Sequence, residues 1–221
     1  MPIIIIYHNR IKFVSGADAV SLNSEWLEII YEIRNCKKCR LHENRINTVP
    51  GEGPLTAKVV LIGEAPGRKE DEVGSPFVGP AGRLLNTLLE NSGLKREEVF
   101  ITNIVKCRPP GNRKPRRDEI SQCLGYLGRQ LRLIKPRVLI LLGNTAAETI
   151  YGLSGVEWHG MMRDHGKIFE IKVYGVKTIS IPTFHPAAAL HNPRLRTILL
   201  EDFTKVVKPV IEELDKTFTR S

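Results

Sequence analysis

Short apolar runs alternate with amphipathic stretches along most of this chain. The runs 58–63, 99–105 and 137–142 are largely Val, Ile and Leu, a pattern typical of strands buried on both faces. The segments between these runs carry apolar residues at helical spacing. Because strands and helices alternate, the pattern predicts an α/β fold with helices covering both faces of a parallel sheet.

The boundaries of the elements follow from capping residues and turn signals. The predicted helices span 23–35, 79–91, 116–134, 145–151 and 193–218, and residues 64–78 are predicted to form a long loop. The predicted strands are the three runs above together with 169–173 and 177–181. We expect one domain over residues 23–218, preceded by an N-terminal arm, residues 1–22, which has strand-like apolar content.

Charge adds a first indication of the binding partner. The 221 residues carry a net charge of +9, which suits a polyanion such as nucleic acid. Between 106 and 117 no acidic residue occurs and six are basic: Lys106, Arg108, Arg113, Lys114, Arg116 and Arg117. A solvated charge run is the alternative interpretation of this segment.

No stretch of the chain suggests a membrane or secretory role. The four consecutive isoleucines near the start are too few for a signal sequence or a membrane span. We therefore expect a soluble, intracellular, cytoplasmic protein with no membrane association.

The chain has four cysteines, Cys36, Cys39, Cys107 and Cys123. In a reducing compartment, clustered thiols hold metals more often than they form disulfides. Four thiolates suit a zinc ion or an iron–sulfur cluster. The first pair is a tight Cys-x2-Cys whereas the second pair is separated by 15 residues, which favours a [4Fe–4S] cluster over a zinc ribbon. Four unconnected core cysteines are the other interpretation, and the basic residues around the first pair argue against it.

Three loops with chemically distinctive side chains follow predicted strands. They contain a carboxylate at Glu64, an amide at Asn103 and an imidazole at His185, and Phe77 lies in the first of them. Each is compatible with an ordinary turn or core position. Ligands of open α/β sheets bind beyond the carboxyl ends of the strands, so we expect these side chains to converge. Such a set can bind a planar nitrogenous base through its edge, face and carbonyl oxygen.

Taken together, the motifs identify a family resemblance. They are Gly-Glu-Ala-Pro-Gly at 63–67, Pro-Phe-Val-Gly at 76–79, Thr-Asn-Ile-Val-Lys-Cys-Arg-Pro-Pro at 102–110, His-Pro-Ala-Ala at 185–188 and the four cysteines. Over residues 24–215 the chain resembles the family 4 uracil-DNA glycosylases, the iron–sulfur type of thermophilic archaea and bacteria. This resemblance implies a three-layer α/β/α sandwich around a central, mostly parallel four-stranded sheet. Few glutamines and methionines beside 26% charged residues also suit a thermophilic, archaeal source.

The resemblance also implies roles for individual residues. The uracil pocket would be lined by Glu64, Ala65, Pro66, Phe77, Asn103 and His185. Catalysis is assigned to His185, Glu64 and Glu70, with Asp71 a further candidate for positioning the water. The expected DNA contacts are Arg108, Asn112, Arg113, Lys114, Arg116 and an intercalating Leu190. The [4Fe–4S] ligands would be Cys36, Cys39, Cys107 and Cys123.

The expected activity is hydrolysis of the bond between uracil and deoxyribose, without lyase action because no lysine occurs at the motifs' pocket positions. The expected partner is uracil-containing DNA, single- or double-stranded, with replication or repair proteins as further partners of a monomeric enzyme. The alternatives are a non-catalytic iron–sulfur module that binds nucleic acid and a zinc-ribbon protein.

Overall fold

A computed structural model describes residues 3–7, 10–14 and 17–218, with side chains from 24 to 216. In this part of the chain the strands are β1 (Ile3–Tyr7), β2 (Arg10–Val14), β3 (Val59–Gly63), β4 (Phe100–Asn103), β5 (Val138–Leu142), β6 (Phe169–Val173) and β7 (Val176–Thr183). β1 and β2 form a separate antiparallel pair. The central sheet has the strand order β4-β3-β5-β7-β6.

The central sheet confirms the predicted α/β class. β4, β3, β5 and β7 are mutually parallel. Every residue of β3, β4 and β5 is buried, and because successive side chains point to opposite faces, both faces must be covered. The predicted number of four strands is wrong by one. β6 pairs antiparallel with β7 and forms an edge, where alternate residues are exposed.

The helices of the described residues are α1 (Ala17–Arg34), α2 (Arg68–Val73), α3 (Pro80–Asn91), α4 (Arg117–Ile134), α5 (Asn144–Ser154), α6 (Met161–Asp164), α7 (Pro186–Ala189), α8 (Pro193–Glu201) and α9 (Lys208–Phe218). Short 3₁₀ segments span Arg40–Glu43, Arg96–Glu98 and Pro110–Asn112. Helix α1 packs against α4, and α3 packs against α7 and α8. No described helix combines the length and the apolar character needed to cross a bilayer.

Three predicted boundaries differ from the structure. Helix α1 begins at Ala17 rather than at Asn23. The predicted loop 64–78 contains α2, whose ion pairs between Glu72 and both Arg68 and Lys69 stabilise it without an apolar stripe. The predicted helix 193–218 is interrupted by a π-helical segment, Asp202–Val207.

Parallel strand direction places four chain segments at one edge of the sheet. β3 ends at Gly63, β4 at Asn103, β5 at Leu142 and β7 at Thr183. The loops that follow these four ends therefore share the site where ligands bind in open α/β folds.

Candidate active site

A cleft of about 500 Å³ opens at the carboxyl ends of the parallel strands. All six residues predicted to line the uracil pocket lie on its wall: Glu64, Ala65, Pro66, Phe77, Asn103 and His185. Part of the 108–114 segment also reaches the wall, through Pro109, Asn112, Arg113 and Lys114. The structure thus brings together the carboxylate, amide, imidazole and aromatic ring that the sequence placed on separate loops.

Asn103 ends β4 with its carboxamide buried, the residue being only 1% exposed. Its Oδ1 has no hydrogen-bond partner among the described residues. A buried acceptor without a partner is costly, so this oxygen is suited to accept from a donor on a bound ligand. Gly63 makes room for it, since a Cβ there would lie 2.4 Å from Asn103 Oδ1 and 2.9 Å from Phe77 Cζ.

Phe77 adopts a left-handed backbone conformation, with φ at 51°. This conformation is uncommon for a bulky residue and indicates backbone strain at this position. Its ring is stacked on the imidazole of His185, with centroids 5.4 Å apart and planes inclined by 28°. The aromatic residue therefore belongs to the cleft as well as to the core.

His185 lies at the N-terminus of α7, and its Nδ1 accepts a hydrogen bond from the backbone N–H of Ala187 at 3.1 Å. This contact makes Nδ1 the acceptor, so the proton of the neutral ring lies on Nε2. Burial lowers the pKa of His185 to about 4, against the opposing effect of Glu70. The ring is neutral at physiological pH and presents one N–H donor.

The three candidate carboxylates have different surroundings. Glu64 accepts a hydrogen bond from Thr145 Oγ1 at the start of α5 and remains on the cleft wall. Glu70 Oε1 accepts from the backbone N–H groups of Val78 and Gly79, both at 2.9 Å, and so holds the loop that carries Phe77.

Asp71 is buried and accepts from the backbone N–H groups of Ile46 at 2.9 Å and Asn47 at 3.2 Å. Its carboxylate binds the backbone of the loop at Ile46 and Asn47, outside the cleft, and is not available to position water. Glu64 and Glu70 both lie on the cleft wall, Glu64 with one carboxylate oxygen bound by Thr145 and Glu70 with one bound by the loop that carries Phe77.

Comparison with known proteins agrees with this geometry. The model of the uracil DNA glycosylase superfamily matches residues 50–212. A type-4 uracil-DNA glycosylase from Archaeoglobus fulgidus is 47% identical over 179 residues, covering 81% of this chain and 90% of that protein. The type-4 enzyme of Saccharolobus solfataricus is 49% identical, over 79% of this chain and 82% of its own length. That of Thermotoga maritima is 44% identical, over 82% of this chain and 93% of its own length. This chain belongs to the type-4 uracil-DNA glycosylases. The predicted resemblance is confirmed.

The basic segment of this type-4 chain is only partly free to contact DNA. Arg113 places both arms of its guanidinium on Glu119, a carboxylate that is almost fully buried. Lys114 pairs with Glu148 at 3.0 Å, and Arg108 Nε donates to Asn112 Oδ1 at 2.7 Å. Arg116 is exposed at the start of α4. The predicted DNA contacts of Arg108, Asn112, Arg113, Lys114 and Arg116 stay predictions, and Arg113 also holds the loop through Glu119.

Leu190 follows α7 directly and is 39% exposed, beside the cleft residues Ala187 and Ala188. An exposed leucine at this position is compatible with the predicted intercalating role. It does not belong to the buried core of the described residues.

The four cysteines of this glycosylase line one small cavity together with Arg45 and Tyr126. Burial raises the pKa of Cys39 and Cys123, and that of Cys107 to about 11. Arg45 donates to Cys107 Sγ at 3.2 Å, and the backbone N–H of Lys106 approaches Cys123 Sγ at 3.3 Å. Among the described residues, no group of three or more His, Cys, Asp or Glu side chains is arranged to hold a metal ion.

Some site residues were missed by the sequence analysis. Thr145, which orients Glu64, follows the end of β5, and the rule that parallel strand ends share an edge was a signal for it.

Lys106 was counted as a surface charge but is 1% exposed. Its Nζ donates to Thr102 Oγ1 at 2.6 Å, Asn103 O at 2.8 Å and Gln130 Oε1 at 2.8 Å. Nothing in a basic run distinguishes one buried lysine from its solvated neighbours.

Proposed function

We propose that this protein hydrolyses the N-glycosidic bond of uracil in DNA, the first step of base excision repair. The observation that carries the proposal is the unpartnered Oδ1 of Asn103 beside the stacked rings of Phe77 and His185. The relatives that match most of this chain are named type-4 uracil-DNA glycosylases, which supports the same activity. A module that only binds nucleic acid has no need for a buried, unpaired acceptor at the base of a cleft.

Base recognition uses the polar edge and the ring face of the extruded base. Asn103 Oδ1 accepts from N3–H of uracil, and its Nδ2 donates to O4; cytosine differs from uracil at both positions. Phe77 stacks on the ring of the base. A base within a duplex cannot reach such a cleft, so the nucleotide is flipped out of the stack at a cost of a few kcal/mol.

Bond cleavage depends on stabilising the leaving uracil. The C1′–N1 bond breaks with both electrons passing to N1, which leaves a uracil anion and an oxocarbenium-like sugar. His185 donates its Nε2 proton in a hydrogen bond to O2 of the anion while remaining neutral. One such donor, placed where charge develops, contributes about 2.7–4 kcal/mol.

Water completes the reaction on the sugar. Its oxygen bonds to C1′, and its second proton is released to solvent or to the departing base. Glu64, oriented by Thr145, positions this water and stabilises the cation. Glu70, on the same wall, is the second candidate carboxylate, and its Oε1 also holds the loop that carries Phe77.

DNA is held by exposed cations, Arg116 foremost, and by Leu190, which fills the space left by the flipped nucleotide. Lys114 lies on the cleft wall, where its amine pairs with Glu148 at 3.0 Å. The proposed reaction is hydrolysis without lyase action. We further propose that residues 23–218 form the glycosylase domain, supported over 50–212 by the family match, and residues 1–22 an arm whose last residues, 17–22, begin α1.

The four thiols of Cys36, Cys39, Cys107 and Cys123 line one cavity and suit a [4Fe–4S] cluster. The 15 residues between Cys107 and Cys123 favour this cluster over a zinc ribbon, whose ligand pairs are closely spaced in sequence. When bound, the cluster would link the segment after α1, through Cys36 and Cys39, to Cys107 in the β4–α4 connection and to Cys123 of α4.

The test is incubation with an oligonucleotide containing one uracil, followed by alkali. We expect a strand break at the uracil after alkali and none before it, with no break in oligonucleotides that carry thymine or cytosine there. Absence of any break would favour the binding module. Covalent trapping of the protein on DNA by borohydride would show lyase action and contradict the hydrolytic mechanism.

A further inference from the structure

A guanidinium outside every motif contacts the loop that carries Phe77. Arg96 lies in the 3₁₀ segment before β4 and is half-buried. Its Nη2 donates to the carbonyl of Pro76 at 2.7 Å, and its Nη1 approaches the carbonyl of Phe77 at 3.4 Å. Asn86 Oδ1, on α3, accepts a hydrogen bond from Nη1 at 3.0 Å and so fixes the position of the guanidinium.

The loop needs such a contact because Phe77 is left-handed. Bulky residues rarely adopt this conformation, and it persists only when the surroundings impose it. On one side Glu70 binds the N–H groups of Val78 and Gly79. On the other side the carbonyl of Phe77 packs against α3, where a Cβ at Gly82 would lie 1.8 Å from it.

The two sets of contacts fix opposite ends of the same peptide turn. Glu70 holds the amides that follow Phe77, and Arg96 holds the carbonyls of Pro76 and Phe77. The orientation of the phenyl ring depends on this backbone, and so does the stack of Phe77 on His185. Arg96 itself contacts neither His185 nor Asn103.

We propose that Arg96 is a positioning residue for the base-stacking platform, holding Phe77 in its left-handed conformation so that the ring meets the extruded uracil. This inference rests on the proposed function, because the platform is assigned to uracil. Because Arg96 acts through Phe77, replacing Arg96 should lower the rate of uracil release only in protein that retains Phe77.

The test compares Arg96→Met with Arg96→Lys and with Arg83→Met. Arg83 is an exposed arginine of α3 and serves as the matched control for loss of one positive charge. We expect Arg96→Met to lower the single-turnover rate of uracil release roughly tenfold, within the range that stacking on one aromatic ring represents. Inhibition by free uracil, which reports on the pocket without DNA, should weaken by a similar factor. Arg96→Lys should recover part of both effects, and Arg83→Met should match wild type.

A double-mutant cycle separates positioning from a general structural role. In a Phe77→Ala background, Arg96→Met should change the rate by less than about twofold, because the group through which it acts is gone. A full tenfold loss in that background would overturn the proposal, as would unchanged uracil inhibition in Arg96→Met. An equal loss in Arg83→Met would also overturn it, because charge rather than position would then be responsible.

If Arg96→Met does not fold, Asn86→Ala carries the test, since it removes the hydrogen bond that fixes the guanidinium and leaves the arginine. The expected loss is smaller and again disappears in the Phe77→Ala background; persistence there contradicts the proposal. Failure of the proposed function would appear differently, as a wild-type protein that releases no uracil.

Discussion

The imidazole of His185 lies against the ring of Phe77, with centroids 5.4 Å apart and an interplanar angle of 28°. The two residues come from different strand ends, one from the loop after β3 and one from the end of β7. Their contact joins the ring that stacks on the base to the donor that meets its carbonyl oxygen. The contact between Phe77 and His185 therefore affects both the binding of the base and the stabilisation of the leaving uracil.

Asn103 should determine which base is released. Replacing it with alanine removes the acceptor and donor that contact the edge of uracil, and each lost hydrogen bond costs about 1–3 kcal/mol. We expect Asn103→Ala to lower single-turnover uracil release by about 10²-fold or more, with little change in affinity for uracil-free DNA. Normal release by this variant would mean that another residue reads the edge.

The four-cysteine cavity should contain iron. We expect a brown protein with about four iron atoms per chain, since four thiolates suit one [4Fe–4S] cluster. Cys123→Ser should bleach the colour and lower the melting temperature, because the crosslink between α4 and the segment after α1 is lost. Metal analysis that finds one zinc and no iron would contradict this assignment.

Two neighbouring arginines should behave differently toward DNA. Arg116 is exposed and its loss should weaken DNA binding at every sequence, with the slope of log K against log salt reduced by about 0.9 for one phosphate contact. Arg113→Met should leave that slope unchanged and instead lower the melting temperature, because buried Glu119 loses its partner. Salt titrations of DNA binding by both variants distinguish the roles. Identical slopes in the two variants would refute the distinction.

Leu190 should contribute to the rate of uracil release only on double-stranded DNA, where the flipped nucleotide leaves a gap in the base stack. On double-stranded substrate Leu190→Ala should slow uracil release about tenfold, because unstacking costs a few kcal/mol that the wedge offsets. On single-stranded substrate the change should be below about twofold. Leu200→Ala, an exposed leucine on α8, is the matched control. Equal losses on both substrates would assign Leu190 to packing.

Much of the sheet could be predicted because its strands are short, apolar and bounded by turn residues. Glu64, Phe77, Asn103 and His185 could be expected to converge because parallel strand ends share one edge. Ala65, Pro66 and the individual roles were implied by the family resemblance. The edge strand β6 was harder to place in the sheet, since its alternating pattern does not specify the direction of pairing.

Other features depend on tertiary contacts that leave no periodic signal. The ion pair of Arg113 with Glu119 joins two residues of ordinary appearance, and the three acceptors of Lys106 come from β4 and α4. The left-handed Phe77 and the break at Asp202 are also imposed by surroundings. Asp202 is buried and accepts from Thr183 Oγ1 at 2.6 Å, which no sequence window around either residue reveals.

The protonation state of His185 gives the sharpest consequence for pH. Its pKa is lowered to about 4 by burial, whereas a histidine in an unfolded chain titrates near 6.5. Between these values the unfolded chain binds the proton more readily, so this group destabilises the fold as pH falls from about 6.5 toward 4. Above about pH 6 the folded ring is already neutral, and catalysis by its N–H donor should not vary with the ordinary histidine titration.

Single-turnover release of uracil by wild type and His185→Ala, measured from about pH 6 to 9, tests the mechanism most directly. We predict a wild-type rate that shows no fall through the histidine range and a variant slower by about 10²–10³-fold, as for loss of an oxyanion-hole donor, with DNA affinity preserved. A steep fall above pH 7 in wild type that is absent in His185→Ala would mean that the imidazolium is required. That result would contradict the neutral donor.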